Sequence, residues 1–93
     1  MTEKQVGKYT RTYKLPVTTR VAQLAAETPN RVCIFIYNNG SATVYLLSQQ
    51  KQTAIDGIPI PAAASYNNDT CYGEYWIIAA SGTQDIRVEE DAE

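Results

Sequence analysis

Histidine is absent from this 93-residue chain. Without an imidazole there is no Ser–His or Cys–His nucleophile pair and no cupin-type metal centre. Cysteine is scarce: Cys33 and Cys71 stand far apart and form no Cys-x-x-Cys pair, which argues against a zinc site. A disulfide between them is compatible with the spacing, but a cytoplasmic origin argues against one. Cys33 lies within an apolar run and reads as a small buried hydrophobe. The five glycines are scattered, so no Gly-rich phosphate loop exists. No apolar run approaches the roughly 20 residues that a membrane span needs. The start, "MTEKQVGKYTRTYK", has no apolar stretch behind its charges and does not read as a signal peptide, which makes the cytoplasm the expected place of synthesis. Paired carboxylates could serve a glycosidase, yet the acidic residues crowd into "EEDAE", which reads more simply as a solvated tail. The expectation is a non-enzyme with no cofactor and no metal.

What is present begins with charge placed unevenly. Residues 1–30 carry five basic and two acidic side chains; residues 56–93 carry one basic and eight acidic. A basic N-terminal arm and an acidic tail could pair head to tail between neighbouring copies, or both could simply be solvated. The size implies one domain whose stability gains from a partner. The expected division is an extended arm over 1–20, one domain over 21–90 and an acidic tail over 91–93.

The β signals are strong. "RVCIFIY" (31–37) and "ATVYLLS" (42–48) are rich in β-branched and aromatic residues and flank an Asn-Gly pair. Asn39 and Gly40 tolerate positive φ, so the pattern predicts a tight hairpin in which Gly40 has φ > 0. Its register sets Tyr37 against Ala42, Phe35 against Val44 and Cys33 against Leu46, a wholly apolar face expected in the core. The opposite face carries Val32, Ile34, Ile36, Tyr45 and Leu47, also apolar, and must be covered either by another part of this chain or by another copy; these residues are taken as a candidate interface. "EYWIIAAS" (74–81) reads as a strand that contributes Trp76 and Ile78 to the core. "QDIRVEE" (84–90) alternates, with Ile86 and Val88 inward. With extended segments at 7–19, 58–61 and 63–68 and no strong helix, the expected fold is all-β: a small antiparallel β-sandwich or jelly-roll-like barrel of six or seven short strands.

Seven tyrosines raise two binding readings, stacking on sugars or on single-stranded bases. The chain is net acidic, which speaks against nucleic acid. Only Tyr9, Arg11, Tyr13 and Lys14 interleave basic and aromatic residues, and these suit an arm laid across a neighbour. Removing residues 1–14 is then expected to weaken assembly while sparing the β fold.

The blocks "RVCIFIYNNGSATVYL", "GIPIPAAASY" and "YWIIAASGTQDIRVEE" resemble small β-sandwich virion proteins of tailed bacteriophages. In these an Arg-led strand enters an Asn-Gly-Ser hairpin, a Gly-Ile-Pro-(Leu or Ile)-Pro segment follows, and a Ser-Gly-Thr turn leads into a closing strand. The resemblance covers roughly residues 31–90; residues 1–30 match no family pattern. It implies a structural role in the virion and no catalytic residues. The leading expectation is a capsid decoration or cement protein. Its partners would be further copies of itself and virion proteins such as the major capsid protein, with no nucleic acid and no membrane. A tail, baseplate or head-fibre component is the second reading. The third is a carbohydrate-binding module holding host glycans, for which an exposed Trp76 beside a tyrosine would speak.

Overall fold

The computed structural model describes residues 9–69 and 73–92. Among the described residues eight strands follow one another: β1 (Tyr9–Val17), β2 (Ala22–Ala25), β3 (Arg31–Asn38), β4 (Val44–Leu47), β5 (Ile58–Ile60), β6 (Ser65–Asn68), β7 (Tyr75–Ala79) and β8 (Gln84–Ala92). A 3-10 turn, Ala54–Asp56, precedes β5 and is closed by Thr53 and Asp56, whose side chain accepts from the Thr53 N–H. The protein is therefore all-β. Two four-stranded antiparallel sheets pack face to face, the first in the order β1-β8-β3-β6 and the second in the order β2-β7-β4-β5. Strand 1 pairs with 8, 2 with 7, 3 with 6 and 4 with 5.

The core lies between the sheets. Val17, Ile34, Ile36, Ile86 and Val88 come from the first, and Leu24, Val44, Leu46, Ile60, Tyr75, Ile77 and Ala79 from the second. Val44, Leu46, Ile86 and Val88 are thus core residues. The clean alternation of β8 buries every second residue from Gln84 to Glu90.

The hairpin is corrected. β3 and β4 are not hydrogen-bonded to each other: β3 lies between β8 and β6, and β4 between β7 and β5. The Asn-Gly segment carries the chain from one sheet to the other. This crossing answers the problem posed by two doubly apolar strands. Placed in opposite sheets, they bury Ile34 and Ile36 against Val44 and Leu46 within one molecule, whereas a flat hairpin would leave a bare apolar face. Gly40 is not at positive φ; among the described glycines only Gly82, at φ 61°, is.

The faces of β3 and β7 are corrected with it. Ile34 and Ile36, expected at an interface, are fully buried in the protein's own core. Cys33 and Tyr37, expected in the core, are half-buried on the outer side, and Phe35 is 41% exposed. Trp76 and Ile78 likewise point outward, half-buried, while Tyr75 and Ile77 take the core positions. Leu47 is buried, but on the outer side of its sheet, where Gly57 of the 48–57 segment lies against it. Val32 and Tyr45 are half-buried. The physical reason is common to all: a strand apolar on both sides carries no contrast from which to read its phase.

The arm is corrected too. Residues 9–17 are the edge strand of the first sheet, paired with β8 over their whole length, from Tyr9 opposite Ala92 to Val17 opposite Gln84. The described part of the expected arm belongs to the sandwich, and so do Asp91 and Ala92 of the expected tail. Residues 1–8 lie outside the described residues, as does Cys71; Cys33 carries a free thiol.

Candidate functional site

Two polar clusters and two outer faces are the places where chemistry could gather. The first cluster is built on Glu90, the last inward position of β8. Its Oε1 accepts from Arg31 Nε at 2.9 Å, and its Oε2 accepts from Arg11 at 2.6 Å and from the Tyr13 hydroxyl at 2.8 Å. Arg31 also donates to the carbonyls of Gly73 and Ala26 and lies over the Tyr75 ring, 5.8 Å from its centroid. The Arg31 side chain is wholly buried, whereas that of Arg11 is 70% exposed. The two ion pairs are therefore unequal: Arg31–Glu90 is desolvated and geometrically demanding, while Arg11 adds little. The cluster ties β1, β3 and β8 to segments at the end of the second sheet. The pairing of basic N-terminal and acidic C-terminal residues foreseen between copies is thus made within one chain.

Burial pushes the Glu90 carboxyl up, but the hydrogen bonds from Arg11, Tyr13 and Arg31 outweigh it and hold its pKa below the usual value. Burial, together with the bond to Glu90, pushes the Tyr13 phenol well above its ordinary range. Cys33 donates to Asp91 at 3.2 Å; burial and that carboxylate raise the thiol's pKa, so it is an unreactive thiol at neutral pH. With Glu90 held ionised by its three donors and Tyr13 and Cys33 held protonated, none of these groups is poised to move a proton near neutrality.

The second cluster stands at the other end. Gln84 Oε1 accepts from the N–H groups of Ser41 and Ala42, and its amide donates to the Ser81 carbonyl. Asn38 donates to the carbonyls of Ala42 and Ile60 and accepts from Gly40 N–H. These two buried amides satisfy the backbone of the crossing segment.

On the outer face of the first sheet, Lys14, Phe35, Arg87 and Glu89 border an open depression of about 370 Å³. Of the expected arm, Lys14 is exposed there, whereas Arg11, exposed beside Glu90, is not part of this depression; the Tyr9 side chain lies outside what is described. On the outer face of the second sheet, Trp76, Glu74, Gln49, Gln50 and Lys51 line a shallow groove. No group of three or more Cys, Asp or Glu among the described residues is arranged to hold a metal ion.

The Glu90 position had a sequence signal: the phase of Ile86 and Val88, continued by two residues, points Glu90 inward. Its partner did not. The ladder between β3 and β8 shifts register between Arg31 and Cys33, and that irregularity turns Arg31 into the interior.

The arrangement defines a class of protein before any relative is considered: a double-sheet antiparallel sandwich whose polar residues are spent on holding its two ends. No family model matches the chain, and no curated protein does. Among solved structures it is similar to the stem and receptor binding domain of the spike protein P1 from bacteriophage PM2, with a TM-score of 0.64 at 14% identity. The match covers 88% of this chain and 33% of that one, so the chain spans about a third of that structure's length. At this identity the likeness is one of fold.

Proposed function

We propose that this chain is a non-enzymatic structural protein of a bacteriophage particle, carried on the particle's outside. The observation behind the reading is the pairing of strands 1·8, 2·7, 3·6 and 4·5 across two sheets, in a fold similar to part of a phage spike protein. That pairing is the scheme of a jelly roll, an architecture used in capsid and lectin domains. Fold alone does not assign function. The site chemistry supports the same direction, because the best-formed polar cluster, Arg31–Glu90, is consumed in joining the sheets.

A projecting spike, tail or fibre module is favoured over a capsid cement. The cement reading leaned on a surplus apolar face at Val32, Ile34, Ile36, Tyr45 and Leu47; Ile34, Ile36 and Leu47 are buried within the molecule itself and the other two are half-buried. Mass spectrometry of purified particles, followed by electron microscopy with a gold-labelled antibody against this chain, tests the proposal. Label at discrete projections is expected. Absence from the particles would overturn the virion reading, and even label over the capsid would restore the cement protein.

A further inference from the structure

We infer that the outer face of the second sheet carries a saccharide-binding groove centred on Trp76, which takes a chain of hexopyranose sugars. The inference deepens the particle-surface reading, and rests on it for where such a sugar would be met.

Trp76 is the chain's single tryptophan. It projects outward from β7 because its neighbours Tyr75 and Ile77 are committed to the core. Its cross-strand neighbours are Gln23 on β2 and Leu47 on β4. Leu47 is covered, so the indole stands at the border between a closed and an open part of the face. Tyr45, one pair further along β4, shares that face. The indole N–H donates to the Glu74 carboxylate, which satisfies the ring's only polar atom and fixes its edge. What remains to offer a ligand is the apolar ring surface.

Around it stand Gln49, Gln50 and Lys51, on the turn that follows β4, and Glu74. The side-chain amides of Gln49 and Gln50 and the Lys51 ammonium have no hydrogen-bond or ion-pair partner among the described residues. The turn itself is not loose: Gln52 Oε1 accepts from the N–H groups of Ser48 and Gln49. Unpaired amides on a braced turn beside a pinned aromatic ring make a specific complement. The C–H face of a pyranose stacks on the ring, and its vicinal hydroxyls need groups that both donate and accept. A carboxamide does both. Single-stranded nucleic acid would ask for several cations, and this groove offers only Lys51, together with the acidic Glu74. The groove holds about 520 Å³ and is open at its sides, which suits a polymer passing through rather than an enclosed metabolite.

The single tryptophan supplies the readout. Full-length protein is titrated with cellohexaose, chitohexaose and hexagalacturonate while its fluorescence is followed. A saturable change with at least one of them is expected. Gln50→Ala and Lys51→Ala, on the exposed turn, are expected to weaken that binding severalfold with an unchanged thermal melt. Trp76→Phe keeps a ring and is expected to weaken it about tenfold, read by saturation transfer to the sugar protons. No saturable change with any of the three sugars overturns the proposal, and so does binding that all three variants leave intact. Sugar binding by a protein absent from particles would sink the virion reading and keep the groove; a particle protein indifferent to the sugars would do the reverse.

Discussion

Gly40 shows how a single residue can be required for a reason other than its backbone freedom. A Cβ at this position would come within 2.1 Å of Gln84 Oε1 and 2.9 Å of Gln84 Cβ. That oxygen already holds two N–H groups of the crossing segment, so it cannot move without leaving them bare. Gly40→Ala should therefore destabilise the protein by about 2 kcal/mol, as overpacking does. In a Gln84→Ala background, which removes Oε1 but keeps Cβ, the same change should cost less, and denaturant melts of the four proteins in a double-mutant cycle would show it. Equal costs in both backgrounds would mean that the contact is not the cause. Glu90 is the second decisive residue. Its pKa is depressed below the ordinary 4.5, and a carboxylate depressed by folding stabilises fully above its unfolded value. That contribution is lost as pH falls through the folded value. The urea midpoint should thus be flat down to about pH 4.5 and fall below it, with Glu90 contributing to the fall. Glu90→Gln should cost about 3 kcal/mol at neutral pH by leaving Arg31 buried without its counter-charge, and the acid limb of its profile should be shallower. A variant as stable as the parent would refute the role given to this pair.

At the scale of elements, β8 is the strand on which the first sheet depends. It is hydrogen-bonded to β1 on one side and to β3 on the other, and it carries Gln84 at one end and Glu90 at the other. β1 contributes Tyr13 and Arg11 to the Glu90 cluster and Val17 to the core. Removal of residues 1–14 therefore strips most of an integral strand, contrary to what an independent arm would allow. The truncated protein should lose its cooperative thermal transition by circular dichroism. A truncated chain with the parent's melt would return β1 to the status of a detachable arm. Short β2 and β5 protect the second sheet's edges in different ways: β5 carries Pro59, which cannot donate to an incoming strand, and the ladder of β2 is shifted between Gln23 and Ala25.

The whole molecule joins its ends: β1 pairs with β8 and β2 with β7, so the pairs that close each sheet lie far apart in sequence. Loop closure must be met before those ladders form, and among the described residues the one helical element is the three-residue 3-10 turn Ala54–Asp56, too short to nucleate locally. Refolding from denaturant should consequently fall in the millisecond-to-second range of all-β sandwiches, measured by stopped-flow fluorescence of Trp76. Microsecond refolding would contradict a topology governed by end-to-end pairing.

The amino-acid order by itself determined the all-β character, because β-branched and aromatic runs broken by Gly, Pro and Asn admit little else. It also determined the phase of β8, where Asp85, Arg87 and Glu89 alternate with Ile86 and Val88, and polarity contrast does the reading. Where that contrast is missing, in β3 and β7, only the tertiary structure decided that Ile34, Ile36 and Ile77 go inward and Phe35 and Trp76 outward. The same holds for the Asn-Gly segment. Its local chemistry suits a hairpin, but a hairpin would bury one apolar face and expose the other. Crossing between sheets buries the inner faces of both strands together, and Asn38 and Gln84 satisfy the backbone that makes the crossing. Free energy is minimised over the whole set of contacts, so a strong turn signal yields to the burial of two strands.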